Sequence, residues 1–147
     1  TPLHQVYNAT LDVIKLLINH GADCNALNHS EEPPIFRMSQ AEDAENKIKE
    51  LLDFGADLTY TKNNGENIMH SAGSEVIPFL IASGIDVNSR TNTGETPLHT
   101  ACAEVDSSVV AALLENGADP EARTDAGLTP LHYACTAGSI DRKSIEL

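Results

Sequence analysis

Apolar residues in this chain come in short clusters, each closed by a glycine. Val13, Ile14, Leu16, Leu17 and Ile18 precede Gly21, and Ile48, Leu51 and Leu52 precede Gly55. Val76, Ile77, Phe79, Leu80 and Ile81 precede Gly84, and Val109, Val110, Leu113 and Leu114 precede Gly117. Within each cluster the three-to-four-residue spacing is that of one helix face. Glycine ends such a helix because it adopts the left-handed conformation at a C-terminus without steric cost. A second pattern stands in front: Thr96-Pro97-Leu98-His99 returns as Thr129-Pro130-Leu131-His132, 33 residues on, and the chain opens on Thr1-Pro2-Leu3-His4. Threonine suits an N-cap and proline the first helical position, where no amide donor is needed. Leu98, Ala101 and Cys102 follow at helical spacing, so a short helix is predicted over roughly 97–104. Ser107 and Ser108 are expected to cap the next one. The segment from Asp119 to Gly127 is polar, and Asp125-Ala126-Gly127 is turn chemistry.

A period of this size marks stacked repeats. The Thr-Pro-Leu-His opening, with Gly117-Ala118-Asp119 at the close, strongly resembles the ankyrin repeat. The resemblance implies an all-α fold: an ankyrin-repeat solenoid of stacked helix–turn–helix units with β-turn fingers. A single unit cannot bury enough of its helix pair, so the units are expected to lean on one another. One domain is expected over 1–147, with repeats at about 1–32, 33–66, 67–95 and 96–128 and a partial one at 129–147.

The units are unequal. Repeat one is a residue shorter than repeat four, so its inter-helix turn near Asn8 to Thr10 is expected to be tight. Repeat two opens on Pro33-Pro34-Ile35-Phe36, which has no hydroxyl cap and no motif histidine. Its stretch from Gln40 to Lys49 predicts a longer loop and an acidic first turn of the second helix. Repeat three opens on Asn67-Ile68-Met69-His70, with 14 residues from His70 to Gly84 against 18 from His99 to Gly117. About one turn must therefore be missing from its first helix or the connection. If Ser74 caps the second helix there, Pro78 falls in the first turn, where a missing amide is tolerated. In repeat five Gly138 marks the inter-helix turn and Ile145 begins the second helix. With no initiator methionine and an end inside an expected helix, the chain reads as a piece of a longer protein.

Charge narrows the function. The formal net charge of −13 argues against nucleic acid and anionic membranes, both of which need a basic footprint. No apolar run approaches the 18 residues of a membrane span. The odd set Cys24, Cys102 and Cys135 lacks disulfide-type spacing, and no signal-peptide pattern opens the chain, so an intracellular setting is expected, cytoplasmic with the nucleus as the alternative. His99-x-x-Cys102 and His132-x-x-Cys135 have a plausible spacing for two halves of a zinc site. The resemblance favours another reading, in which the motif histidine bonds neighbouring backbone and the cysteine is a buried small residue. Stacking would set Cys102 and Cys135 about 8–10 Å apart, too far for a disulfide. No phosphate loop, metalloprotease motif or nucleophile elbow occurs. No enzyme, cofactor or metal is therefore expected.

The resemblance implies non-catalytic binding of another protein, by a monomer, along the concave face of fingers and inner helices. The alternative is the regulatory or substrate-recruiting arm of a larger enzyme or effector. Carried over by motif position, the finger sites include Leu27, His29, Lys62, Asn63, Glu66, Arg90, Asn92, Glu95, Arg123, Asp125 and Leu128. The first-helix sites include Arg37, Ser71, Thr100, Glu104 and Tyr133. Lys62, Arg90 and Arg123 form a column of fingertip cations, and Glu32, Glu66 and Glu95 a column of acids at the finger base. These columns read either as pairing between fingers or as a mixed-charge recognition strip anchored by Tyr133 and Leu128. Asn25 and Asn88 occupy the finger position at which ankyrin asparagines are hydroxylated in animal cells. The plainer reading is that they satisfy finger hydrogen bonds.

Overall fold

The amphipathic clusters and their capped leads fold as helix pairs, in a computed structural model that describes residues 2–5 and 10–137. The first pair is α1 (Pro2–Gln5) and α2 (Leu11–Asn19). The second is α3 (Pro34–Met38) and α4 (Ala44–Asp53). In the third, a single 3₁₀ turn (Ile68–Ser71) stands where the first helix belongs, before α5 (Ile77–Ala82). The fourth is α6 (Pro97–Glu104) with α7 (Ser107–Glu115), and α8 (Pro130–Ala137) follows. Among the described residues the one β pairing is an isolated bridge between Thr61 and Asn67. The turn at Asn8 and the expectations for Gly138 and Ile145 lie outside the described residues.

The helix pairs stack on an apolar seam running the length of the described chain. Leu3, Ile14, Ile35, Ile48, Leu51, Ile68, Ile77, Leu80 and Leu113 are fully buried along it. Each second helix ends on a left-handed glycine, as at Gly55 and Gly117. The aspartate two residues later turns the chain outward: the Asp57 carboxylate accepts the Thr59 amide at 2.8 Å and Asp119 accepts Glu121 at 2.9 Å. That local bond is why an aspartate serves here.

Several local expectations are corrected. The cap of α7 is Asp106, which accepts the amides of Ser108 at 3.0 Å and Val109 at 3.2 Å; Ser108 instead donates its hydroxyl to the same carboxylate. A carboxylate one residue earlier reaches two amides at once, and the Ser108 hydroxyl, together with the Val109 and Ser108 amides, holds its pKa below the usual carboxylate value. Ser74 does not cap α5, whose N-cap position is Val76, although Pro78 does fall in the first turn. The second-helix clusters are not wholly inward: Val13 and Leu16 on α2 and Leu114 on α7 are exposed. Nor are the motif cysteines buried alike, because α8 packs over α6 while no described element covers α8 in the same way. Cys102 is therefore half-buried and Cys135 exposed.

The shortened third unit is tied to its predecessor by other means. Ser39, fully buried, donates its hydroxyl to Phe36 O at 2.7 Å and Ser71 O at 3.2 Å. The Gly73 amide donates to Ser39 O at 2.9 Å. These bonds occupy backbone groups that a longer helix would have satisfied internally.

Candidate partner-binding surface

The surface is built outward from the motif histidines. Thr96 sits at the N-cap of α6, and His99 Nδ1 lies 3.1 Å from the Thr96 amide and 2.9 Å from its hydroxyl. Nδ1 therefore accepts, and Nε2 donates across the unit boundary to Leu128 O at 3.1 Å. His70 does the same more loosely, bonding Asn67 through Nδ1 and reaching Glu95 O at 3.5 Å. Burial holds His70 below its usual pKa against the opposing pull of the Glu95 carbonyl and Glu66. With both ring nitrogens of His99 engaged, its geometry is that of a clamp on the next finger. Among the described residues no three His, Cys, Asp or Glu side chains gather where they could hold a metal ion.

Asparagines form a second set of clamps. Asn25 donates Nδ2 to Gly55 O at 2.9 Å and accepts the Asp57 amide at 2.9 Å. Asn88 donates to Gly117 O at 3.2 Å and accepts the Asp119 amide at 2.8 Å. Each side chain thus satisfies one carbonyl and one amide of the next unit.

The fingers are laced tip to tip. The Asn92 amide donates to Asn64 O at 2.9 Å, and the Asp125 amide to Thr93 O at 3.0 Å. Asn92 Nδ2 adds a bond to Asn63 O at 2.7 Å, and Asn63 Nδ2 one to Glu31 Oε1 at 2.6 Å. Close approach requires glycine at the tip. A Cβ on Gly94, whose φ is +79°, would lie 2.6 Å from Arg90 Nη2 and 2.8 Å from Asp125 Oδ1.

The charge columns resolve differently along the stack. Lys62 lies between two acids, 3.1 Å from Glu32 and 2.7 Å from Glu66. Burial opposes its charge, but the bonds to Glu66 and Glu32 outweigh it and hold the ammonium above its usual pKa. Burial would likewise raise Glu66, yet Lys62 keeps it lowered. Arg90 and Arg123 do not follow this pairing: Arg90 donates to Arg123 O at 2.7 Å, and Arg123 to Gly127 O at 3.0 Å. Glu95 accepts the Tyr133 hydroxyl at 2.5 Å and the Thr93 hydroxyl at 3.1 Å. Burial and that carboxylate push the Tyr133 phenol up to about 12. The Tyr133 ring meets His99 edge-on, with centroids 5.1 Å apart.

Of the sequence-derived positions, Leu27, His29, Arg37, Asn63, Arg90, Asn92, Glu104, Arg123, Asp125 and Leu128 are exposed. Lys62, Glu66, Ser71, Glu95, Thr100 and Tyr133 are half-buried. The structure brings Lys62 to Glu66, Tyr133 to Glu95, and Arg90 to Arg123. Leu27 and His29 in the first finger are not joined to that network. Sequence reasoning overlooked Asp106, and also Lys47, which is buried within α4. The signal for Lys47 was its place three residues after Ala44 and four before Leu51, on the buried face of α4.

Helix pairs joined by turn fingers, stacked on one continuous seam and clamped across unit boundaries by His99 and His70, define a repeat solenoid. Residues 3–91 and 73–142 match the family profile of ankyrin repeats in three copies, and the chain belongs to the ankyrin repeat family. It is similar to ankyrin repeat and SOCS box protein 6 of Homo sapiens, 30% identical over 96 residues that cover 58% of this chain and 23% of that protein. It is also similar to an ankyrin repeat protein of Acanthamoeba polyphaga mimivirus, 32% identical over 120 residues, or 65% of this chain and 21% of the relative. A fowlpox virus ankyrin repeat protein is 30% identical over 106 residues, or 70% and 19%. The chain therefore spans about a fifth of the length of the curated relatives it matches. Among the described residues no helix is long and apolar enough to cross a membrane.

Proposed function

We propose that this chain is a non-catalytic recognition module that binds another protein along its fingertips and first helices. Ankyrin repeats in general are protein–protein interaction modules, and the family is generally non-catalytic. One observation supports the particular surface: the laced fingers hold exposed Asn63, Arg90, Asn92, Arg123 and Asp125 in a single row. Backbone lacing fixes that row before any partner arrives, which lowers the ordering cost of binding. Arginine and aromatic residues are the usual hot spots of such interfaces. Arg90, Arg123 and Tyr133 therefore carry the greatest expected share, with Leu27, Leu128, Arg37, Ser71, Thr100 and Glu104 completing the contact. The module acts as a monomer inside the cell.

The test is a pull-down with the whole chain against Arg90→Ala combined with Arg123→Ala. Proteins retained by the wild type and lost by the double variant are expected, with thermal unfolding showing that the variant stays folded. Equal retention by a folded variant removes the row from the interface.

A second reading rests on the relative that carries a SOCS box in its name. In it the module is the substrate-recruiting arm of a larger ligase, and the complete reading frame of the parent gene decides between the two. Asn25 and Asn88 stand as candidate hydroxylation sites. An intact-mass measurement on native protein, finding no added oxygen, would remove them.

A further inference from the structure

The finger of the second unit carries an Asn-Gly dipeptide, Asn64-Gly65, and α7 is closed by another, Asn116-Gly117. An asparagine side-chain carbonyl before glycine is open to attack by the next backbone nitrogen, because glycine has no Cβ to shield it. The fold demands both glycines. Gly65 has a φ of +89°, and a Cβ there would lie 2.7 Å from Asn92 N and 2.9 Å from Thr91 Cα. Gly117 has a φ of +91°. The two sites differ in the direction each asparagine side chain is held. Asn64 is exposed and turns forward: its Oδ1 accepts the Glu66 amide at 3.0 Å, which bends the side-chain carbonyl over the Gly65 peptide. That donor also polarises the carbonyl and faces the oxyanion that attack would form. Asn116 is half-buried and turns back: its Nδ2 donates to Ala112 O at 2.8 Å, along α7 and away from Gly117. The attacking nitrogens are alike, since Gly65 N donates to Lys62 O at 2.9 Å and Gly117 N to Leu114 O at 3.2 Å. Either bond must open before a ring can close. Asn28 turns forward as well, to the amides of Ser30 and Glu32, but His29 follows it and brings a Cβ.

We propose that Asn64 is a site of spontaneous deamidation in the folded chain, and that Asn116 is protected from it. Gly65 N bonds to Asn64 Cγ, closing a succinimide ring, and Nδ2 leaves as ammonia with the proton that Gly65 N gives up. Water then adds to either ring carbonyl and opens it, to aspartate or to isoaspartate. Solvent water is the only co-reactant. In the isoaspartate product the main chain runs through the former side chain. The carbonyl that accepts the Asn92 amide at 2.9 Å becomes a free carboxylate off the main chain. Ageing therefore resets the lace between the second and third fingers and adds a negative charge beside Asn63 and Asn92. The modification stands independently of the protein-binding reading, although it falls within the row proposed there.

The experiment ages the purified whole chain in mildly alkaline buffer at body temperature, folded and, in parallel, in guanidinium chloride. Trypsin then releases residues 63–90 and 91–123, which carry the two sites on separate peptides. Fragmentation mass spectrometry locates each aspartate and isoaspartate. In the folded sample Asn64 is expected to convert severalfold faster than Asn116, and in denaturant the two rates should converge. Asn64→Gln should silence the change at that position, because the longer side chain closes a less favourable ring. Equal rates in the folded chain overturn the proposal, as does a faster Asn116 or an inert Asn64 beside a reacting denatured sample. A preference for Asn64 that persists unchanged in denaturant also overturns it, by assigning the difference to sequence rather than to fold. None of these outcomes bears on the arginine double variant, so the two readings fail separately.

Discussion

The α6–α8 segment and the unit built on Ile68–Ser71 solve one structural problem by different means. In α6 the motif is whole: Thr96 and His99 close the helix start, two turns of helix follow, and His99 clamps Leu128 O at 3.1 Å. In the third unit Asn67 and His70 keep the cap, but the helix is one turn long and the clamp to Glu95 O stretches to 3.5 Å. What local structure lost, tertiary bonds replaced, through Ser39 and Gly73. The regular unit fills its boundary with helix, whereas the irregular one leaves a cleft of about 220 Å³ between its 3₁₀ turn and α6. A departure from a repeat motif therefore creates a feature as well as a defect, and that feature distinguishes this chain from a regular stack.

The largest effect is expected in the regular half. Leu98→Ala removes a side chain that is 2% exposed and should cost about 2–5 kcal/mol, read by urea unfolding. Its motif equivalent Leu131 is 70% exposed, so Leu131→Ala should stay within about 0.5 kcal/mol. Equal costs for the two would mean that α8 is covered as α6 is. Next comes Gly94→Ala, where a left-handed φ combines with the clash at Arg90 and Asp125; about 1–3 kcal/mol is expected. Gly127→Ala shares the left-handed φ but meets nothing within 4 Å, so it should cost less, and the difference measures the finger lacing. Thr96→Ala should cost about 1 kcal/mol by thermal unfolding, through loss of the buried hydroxyl that bonds His99 Nδ1.

A smaller effect is expected from pH. His70 has a folded pKa below its unfolded value near 6.5, so the unfolded chain binds the proton more readily. Its contribution is fully present above the unfolded pKa and is lost as pH falls through the folded one. Hydrogen-exchange protection factors around 67–72, corrected for the intrinsic pH dependence of exchange, should therefore fall on acidification below about pH 6.5, and His70→Gln should abolish that dependence. A flat pH response in the wild type would mean that the stretched clamp does not bury the ring as effectively as its position implies.

Much of this was legible in the chain. The Thr-Pro-Leu-His period placed α6 at its observed ends, and the residue count from His70 to Gly84 required a lost turn in the third unit. Cap identity was harder to read, because Asp106, Ser107 and Ser108 all have capping chemistry and only the backbone angle selects among them. The finger cations were visible as a column. That Lys62 would bind two acids while Arg90 would bind a carbonyl depended on how far apart successive fingers lie. The cleft had no motif at all, since it is a gap left by residues that are not there.

Helix spacing, glycine stops and the 33-residue period are local and additive, so the order of residues was enough to determine the helix pairs, their stacking and the family. Which charges meet, which cysteine is covered and where the stack leaves a hollow depend on distances between units far apart in the chain. Those distances arise only when every seam packs at once, and so tertiary structure alone decided them.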